Sequence, residues 1–208
     1  FKGFKELVIV LKSLSAQKSL KQFLTAFFLY SIGVQTVILL AGLFGKKELG
    51  IDTSKLIIII LLINVVAIVG AFIFSRISEK IGNIKTLQIT VLIWGGICVA
   101  AFMLDANSPT IDIQFYALGG TIGMVLGAIQ SLSRSTYSKL LPETDDHATY
   151  FSFFDVTEKV AIVVGTFIFG FVSSVTNSMR TSFLILALFF LLALVVLSLM
   201  KKKEMIKN

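Results

Sequence analysis

Six apolar blocks limit what this chain can fold into more than any other feature. They cover roughly residues 20–44, 54–76, 84–104, 113–136, 150–174 and 181–200. A bilayer's hydrocarbon core is about 30 Å thick, and a helix needs about 20 apolar residues to cross it. Lipid leaves no backbone polar group to water, so each block is expected to be a helix. Soluble domains carry about 25% charged residues; this 208-residue chain carries 15%, with 56% hydrophobic residues and a mean hydropathy of +0.91. The expected fold is an all-α membrane bundle of six transmembrane helices at 20–200. It is flanked by an amphipathic or linker segment at 1–19 and a basic tail at 201–208.

The links are short and hold most of the charge. "GKKELGIDT" (45–53), "EKIGN" (79–83), "DANSPTID" (105–112) and "PETDDHA" (142–148) read as turns from their Gly, Pro, Asn and Asp content. None is long enough to separate two domains. Fourteen Lys and Arg residues fall on the side that holds both termini and four on the other, which places both termini in the cytoplasm. The net charge of +7 follows from this bias and gives no reason to expect nucleic acid as a partner. Phe4, Leu7, Val8, Leu11 and Leu14 share a helical face, which suits either a helix lying on the inner leaflet or a solvated linker. The chain opens on Phe rather than Met, so it reads as a fragment or a processed product. Cys98 is the single cysteine; it rules out an intrachain disulfide and reads as a packed small hydrophobe.

The fifth block raises the sharpest question. Val160 to Val175 covers only about 24 Å as a helix, so the span must draw Lys159, Glu158 and Asp155 towards the hydrocarbon. A charge at a helix centre costs about 2.5–3.5 kcal/mol. The nine large apolar residues from Val160 to Val172 return roughly 3–5 kcal/mol together. The charges must therefore sit near the interface, pair, or face a wet cavity. Asp155 and Lys159 have the favourable i,i+4 order for a helix pair. They read either as an interfacial pair with a snorkelling lysine or as a polar site on a solute or proton path. Glu158 reads as interfacial.

Polar residues elsewhere in the spans mark a candidate substrate cavity: Tyr30, Gln35 and Thr36 in the first, Asn64 in the second and Gln130 in the fourth. Each taken singly also fits a hydrogen bond between helices. Arg134 reads as the inner end of the fourth helix, and Gly119, Gly123 and Gly127 recur every four residues, so another helix can approach closely. The one histidine, His147, lies in an acidic link, and no metal cluster, phosphate loop or nucleotide motif is present, so neither an enzyme nor a cofactor is expected.

"SRISEKIGNIK" (75–85) resembles the loop signature of the major facilitator superfamily, with Glu79 for its Asp, Lys80 for its Arg, Gly82 for its turn Gly and Lys85 for a trailing basic residue. "FFLYSIGVQTV" (27–37), "GAIQSLSRSTYSKLLP" (127–142) and "YFSFFDVTEKVAIVVGTFIFG" (150–170) resemble the C-terminal half of a bacterial facilitator family similar to the fungal vacuole effluxers. That resemblance implies one half of a twelve-helix secondary transporter, itself two inverted three-helix repeats. It also implies an N-terminal six-helix half as partner, a bacterial plasma membrane as location, and a small polar solute as cargo. Amino acids and proton coupling are further implications, with Asp155 the candidate acid. Asp155 and Lys159 match the family pattern, whereas Ser31-Ile32 replaces a frequent Asn-Asp, Thr166 a Pro and Glu158 a Gly. The alternative reading is a stand-alone six-helix channel or exporter acting as a homodimer. In a half-transporter, part of the surface of helices one, two, four and five should be free of intrachain contacts.

Overall fold

The structure, a computed structural model, describes residues 17–142 and 147–200. They form six helices: α1 Lys18–Lys47, α2 Thr53–Ile81, α3 Asn83–Met103, α4 Ile111–Leu140, α5 His147–Thr176 and α6 Met179–Ser198. All six are long and apolar enough to cross a membrane. The bundle of six helices expected from the apolar blocks is therefore the fold observed. Residues 1–16 of the flanking segment, 143–146 of the acidic link and the tail 201–208 lie outside the described residues.

Most helices run past their apolar blocks at one or both ends. Lys46 and Lys47 join the last turn of α1, and Lys80 the last turn of α2, where cations complement the negative end of the helix dipole. The link expected at 79–83 shrinks accordingly. Glu79 and Lys80 are helical, Lys85 lies in the first turn of α3, and the turn itself is Gly82. Its φ of +89° is one that a side chain disfavours.

The helices pair in a repeating pattern. α2 packs chiefly on α4, and α5 packs on α1; α3 meets α4 as α6 meets α1; α3 and α6 pack on each other. Exchanging the first three helices for the last three maps this set of neighbours onto itself. Three is an odd number of crossings, so the second set runs opposite to the first, as inverted repeats do. At the centre, Trp94 of α3 stacks on Phe190 of α6, with ring centroids 6.0 Å apart. The Phe190 ring also fills the space over Gly33 of α1, where a Cβ would overlap it. Cys98 is buried beside them, as a small hydrophobe.

Glycines set the tightest crossings. A Cβ at Gly127 of α4 would overlap the carbonyl of Ala67 in α2, and one at Gly70 of α2 would overlap the carbonyl of Met124 in α4. Gly123 meets the Ile63 carbonyl and Gly119 the Ile59 side chain in the same way. The four-residue glycine spacing of α4 is thus the seat of α2. Gly165 of α5 repeats the device against Ile32 and Thr36 of α1. Lipid offers no hydrophobic drive between helices, so close backbone packing of this kind is what joins them.

Away from the chain ends, the bundle is tied by polar contacts. Glu48 accepts a 2.6 Å hydrogen bond from the backbone amide of Met179 at the start of α6, with Arg180 3.8 Å away. Lys55 of α2 pairs with Asp112 of α4. The outer surfaces are apolar and the least buried helices are α2 and α5, with Ile68 exposed at 74% and Phe167 at 72%.

The glycine seat gives a paired expectation. Gly127→Leu should cost about 1–3 kcal/mol or more by overpacking and lower the melting temperature of detergent-solubilised protein. Gly120→Ala, on the same helix with nothing within 4 Å of the new methyl, should leave it unchanged. Equal melting of the two variants would remove the seat from the fold's requirements.

Candidate functional site

Three helices leave room where their polar residues meet. A cavity of about 160 Å³ lies between α1, α4 and α5. α1 contributes Phe27, Tyr30, Ser31, Val34 and Gln35; α4 contributes Ile129, Gln130, Ser133 and Arg134; α5 contributes Phe154 and Glu158. Glu158 stands eleven residues beyond His147, about 17 Å along α5, well inside the span. The cavity therefore lies in the half of the bundle nearer the ends of the chain and reaches mid-depth at Gln35.

An aromatic floor joins the helices beneath these polar groups. Phe27 stacks on Phe154 with centroids 3.9 Å apart, and Tyr137 of α4 packs on both Phe154 and Phe23. The Tyr137 hydroxyl donates to the carbonyl of Tyr150, 2.7 Å away, which fixes the start of α5 against α4. On the α1–α4 wall, the Tyr30 and Ser133 hydroxyls share a 2.7 Å hydrogen bond, and Ser133 also donates to the carbonyl of Ile129.

Two charge contacts define the α5 wall. Arg134 Nη2 donates to Asp155 Oδ1 at 3.2 Å, both side chains about half exposed, and its guanidinium lies over the Phe154 ring, 5.6 Å from the centroid. Gln35 Nε2 donates to Glu158 Oε1. The expected ion pair of Asp155 with Lys159 does not form. Asp155 turns to Arg134 on the neighbouring helix, and Lys159 is exposed with no ion pair among the described residues. A planar guanidinium stacked on an aromatic ring is held in place for a carboxylate, which a flexible lysine one turn away is not.

Of the expected cavity residues, Tyr30, Gln35 and Gln130 come together here. Thr36 does not: it is buried at the α1–α5 crossing against Gly165, and its hydroxyl has no partner among the described residues. Asn64 lies on the exposed side of α2, where its amide donates to the Ile60 carbonyl of its own helix. Glu79, Lys80, Gly82 and Lys85 lie at the α2–α3 junction, away from the cavity walls. Ser31, Ser133, Arg134 and Glu158 were not expected in the cavity. Ser133 and Arg134 follow Gln130 by three and four residues, so a one-turn helical offset from Gln130 carries the signal for both.

Among the described residues no group of His, Cys, Asp and Glu is arranged to hold a metal ion. The cavity can instead offer hydrogen bonds and charges of both signs to a small polar molecule.

Comparison with known proteins agrees with this architecture. The chain is 29% identical over 197 residues to the uncharacterized MFS-type transporter YxiO of Bacillus subtilis, covering 94% of this chain and 44% of that protein. It is 30% identical over 194 residues to Autophagy-related protein 22 of Saccharomyces cerevisiae, covering 90% and 36%. It is 31% identical over 173 residues to Autophagy-related protein 22 of Eremothecium gossypii, covering 80% and 34%. The chain thus spans less than half the length of each of these relatives. The family model described as "Vacuole effluxer Atg22 like" matches residues 1–208, and the chain, an integral membrane bundle of six helices, belongs to that family.

Proposed function

We propose that this chain is the C-terminal half of a secondary transporter that moves a small polar solute by alternating access. The observation that carries the reading is the cavity itself, where Gln35, Gln130, Arg134 and Glu158 gather inside otherwise apolar spans. Ionisable residues within a membrane are costly and mark solute or ion paths. The symmetric pairing of two three-helix sets supports the same reading, because transporters of this build place their solute where repeats or halves meet. Relatives named as an MFS-type transporter and a vacuole effluxer-like family point the same way.

The partner in this reading is an N-terminal six-helix half lying against α2 and α5. Their exposed sides are mostly apolar, yet they carry Asn64 and Lys159, which a protein neighbour accommodates better than hydrocarbon does. The chain's ends face the cytoplasm of a bacterial plasma membrane, following its basic residues, and the cavity lies towards that side. Amino acids are the solutes to test first, with a proton as the coupling ion and Asp155 as the acid that takes it up when Arg134 moves away.

Uptake of labelled amino acids into proteoliposomes holding the intact protein, with and without an imposed pH gradient, tests this. Gradient-driven uptake is expected for wild type and is lost in Asp155→Asn at equal reconstitution. Uptake unaffected by the substitution would reduce the Arg134–Asp155 pair to a structural tie. Gln130 is exposed and has no hydrogen bond to the described residues. Gln130→Ala should therefore leave expression and melting unchanged while weakening uptake about two- to tenfold, the loss of one hydrogen bond to solute. Lost folding with full uptake per molecule would instead assign Gln130 to packing.

A further inference from the structure

We infer that Glu158 is the residue through which this cavity recognises a positively charged amine on its solute. The inference rests on the transport reading above and assigns the residue that selects the amine end of the solute. It starts from the charges. Arg134 is neutralised by Asp155 at 3.2 Å. Glu158 is then the one charged group on the described cavity wall left without an opposite charge, since none of the ion pairs among the described residues includes it. Gln35 holds Oε1 through a neutral amide, which orients the carboxylate without cancelling its charge. Lys159 follows it in sequence but sits about 100° further round the helix, on the exposed side.

A carboxylate inside a span, with no cation paired to it among the described residues, favours a cation from elsewhere. The surrounding chemistry selects which kind. The second oxygen of Glu158 has no hydrogen bond among the described residues, and Ser31, Gln35 and Gln130 add hydroxyl and amide oxygens on the same cavity. An alkylammonium group carries three donors and no acceptor, which matches a set of acceptors. Phe27 and Phe154 line the cavity too, and an aromatic face attracts a cation. On the opposite wall Arg134 uses one of its five N–H donors for Asp155, so a carboxylate on the same solute also finds a donor. A small zwitterion fits both ends, and the amine end is the one that Glu158 reads.

Three molecules of similar size separate these contributions in equilibrium binding to the purified intact protein. Alanine has both charges, lactate replaces the ammonium by a hydroxyl, and ethylamine lacks the carboxylate. Wild type is expected to bind alanine at least about tenfold tighter than lactate, and Glu158→Gln to weaken alanine about ten- to a hundredfold, the loss of one charge-assisted hydrogen bond. Lactate binding should change less than about twofold, which also reports that the variant is folded. Glu158→Asp, which keeps the charge, should keep the preference for alanine. Ethylamine should compete with alanine on wild type and not on Glu158→Gln. The assignment is overturned if Glu158→Gln retains the preference, if wild type does not discriminate or binds none of the three, or if sodium chloride displaces ethylamine as effectively as alanine does. Proteoliposome uptake judges the transport reading separately. Uptake of a solute without amine preference sinks the role of Glu158 and leaves the transporter standing. Glu158-dependent amine binding without uptake does the reverse.

Discussion

Close contact between helix backbones is the constraint on which the rest of this structure depends. In lipid, apolar side chains gain little by leaving the membrane for one another, so association rests on packing and on the few polar bonds available. Gly119, Gly123 and Gly127 let α2 lie on α4, with Gly70 returning the contact from α2. Gly165 does the same for α5 on α1. These two crossings are equivalent under exchange of the two three-helix sets. They leave α1, α4 and α5 around a space that their side chains do not fill.

That space is where the charges of α5 find their neighbours. Successive helical residues turn by about 100°, so Asp155, Glu158 and Lys159 point in three directions. Phe154 and Ala161 mark the buried side of α5, and Glu158 is the nearest of the three charges to it, facing α1. Asp155 lies on the flank towards α4, where Arg134 meets it. Lys159 lies beside Val156, Val160 and Val163 on the exposed stripe. One short segment thus supplies a group for the cavity, a tie to the next helix, and a polar mark on a surface that the proposed partner half covers.

Much of this was legible in the sequence. The six spans, the close approach at the α4 glycines and the packed Cys98 follow from apolar length and residue spacing. A cavity holding Tyr30, Gln35 and Gln130 was suggested by their polarity and by the family resemblance, in a set that also held Thr36 and Asn64. The pairing of Asp155 did not. An i,i+4 acid and base within a helix are geometrically able to pair, and only a neighbouring helix can offer something better. Thr36 shows the same limit: it is adjacent to Gln35, yet 100° of rotation puts it under Gly165 instead of in the cavity. Asn64 is carried to the far side of α2 by the seat that α2 takes on α4.

By itself, then, the sequence determined that this chain is a membrane bundle, which six stretches cross, and which residues are too polar for lipid. Those properties are set by transfer from water to hydrocarbon, which each segment meets alone. Tertiary structure decided which polar groups share a space and which charge on the cavity wall has no opposite charge beside it among the described residues. Those depend on the rotation of each helix about its axis, and that rotation is fixed by the neighbour it packs against.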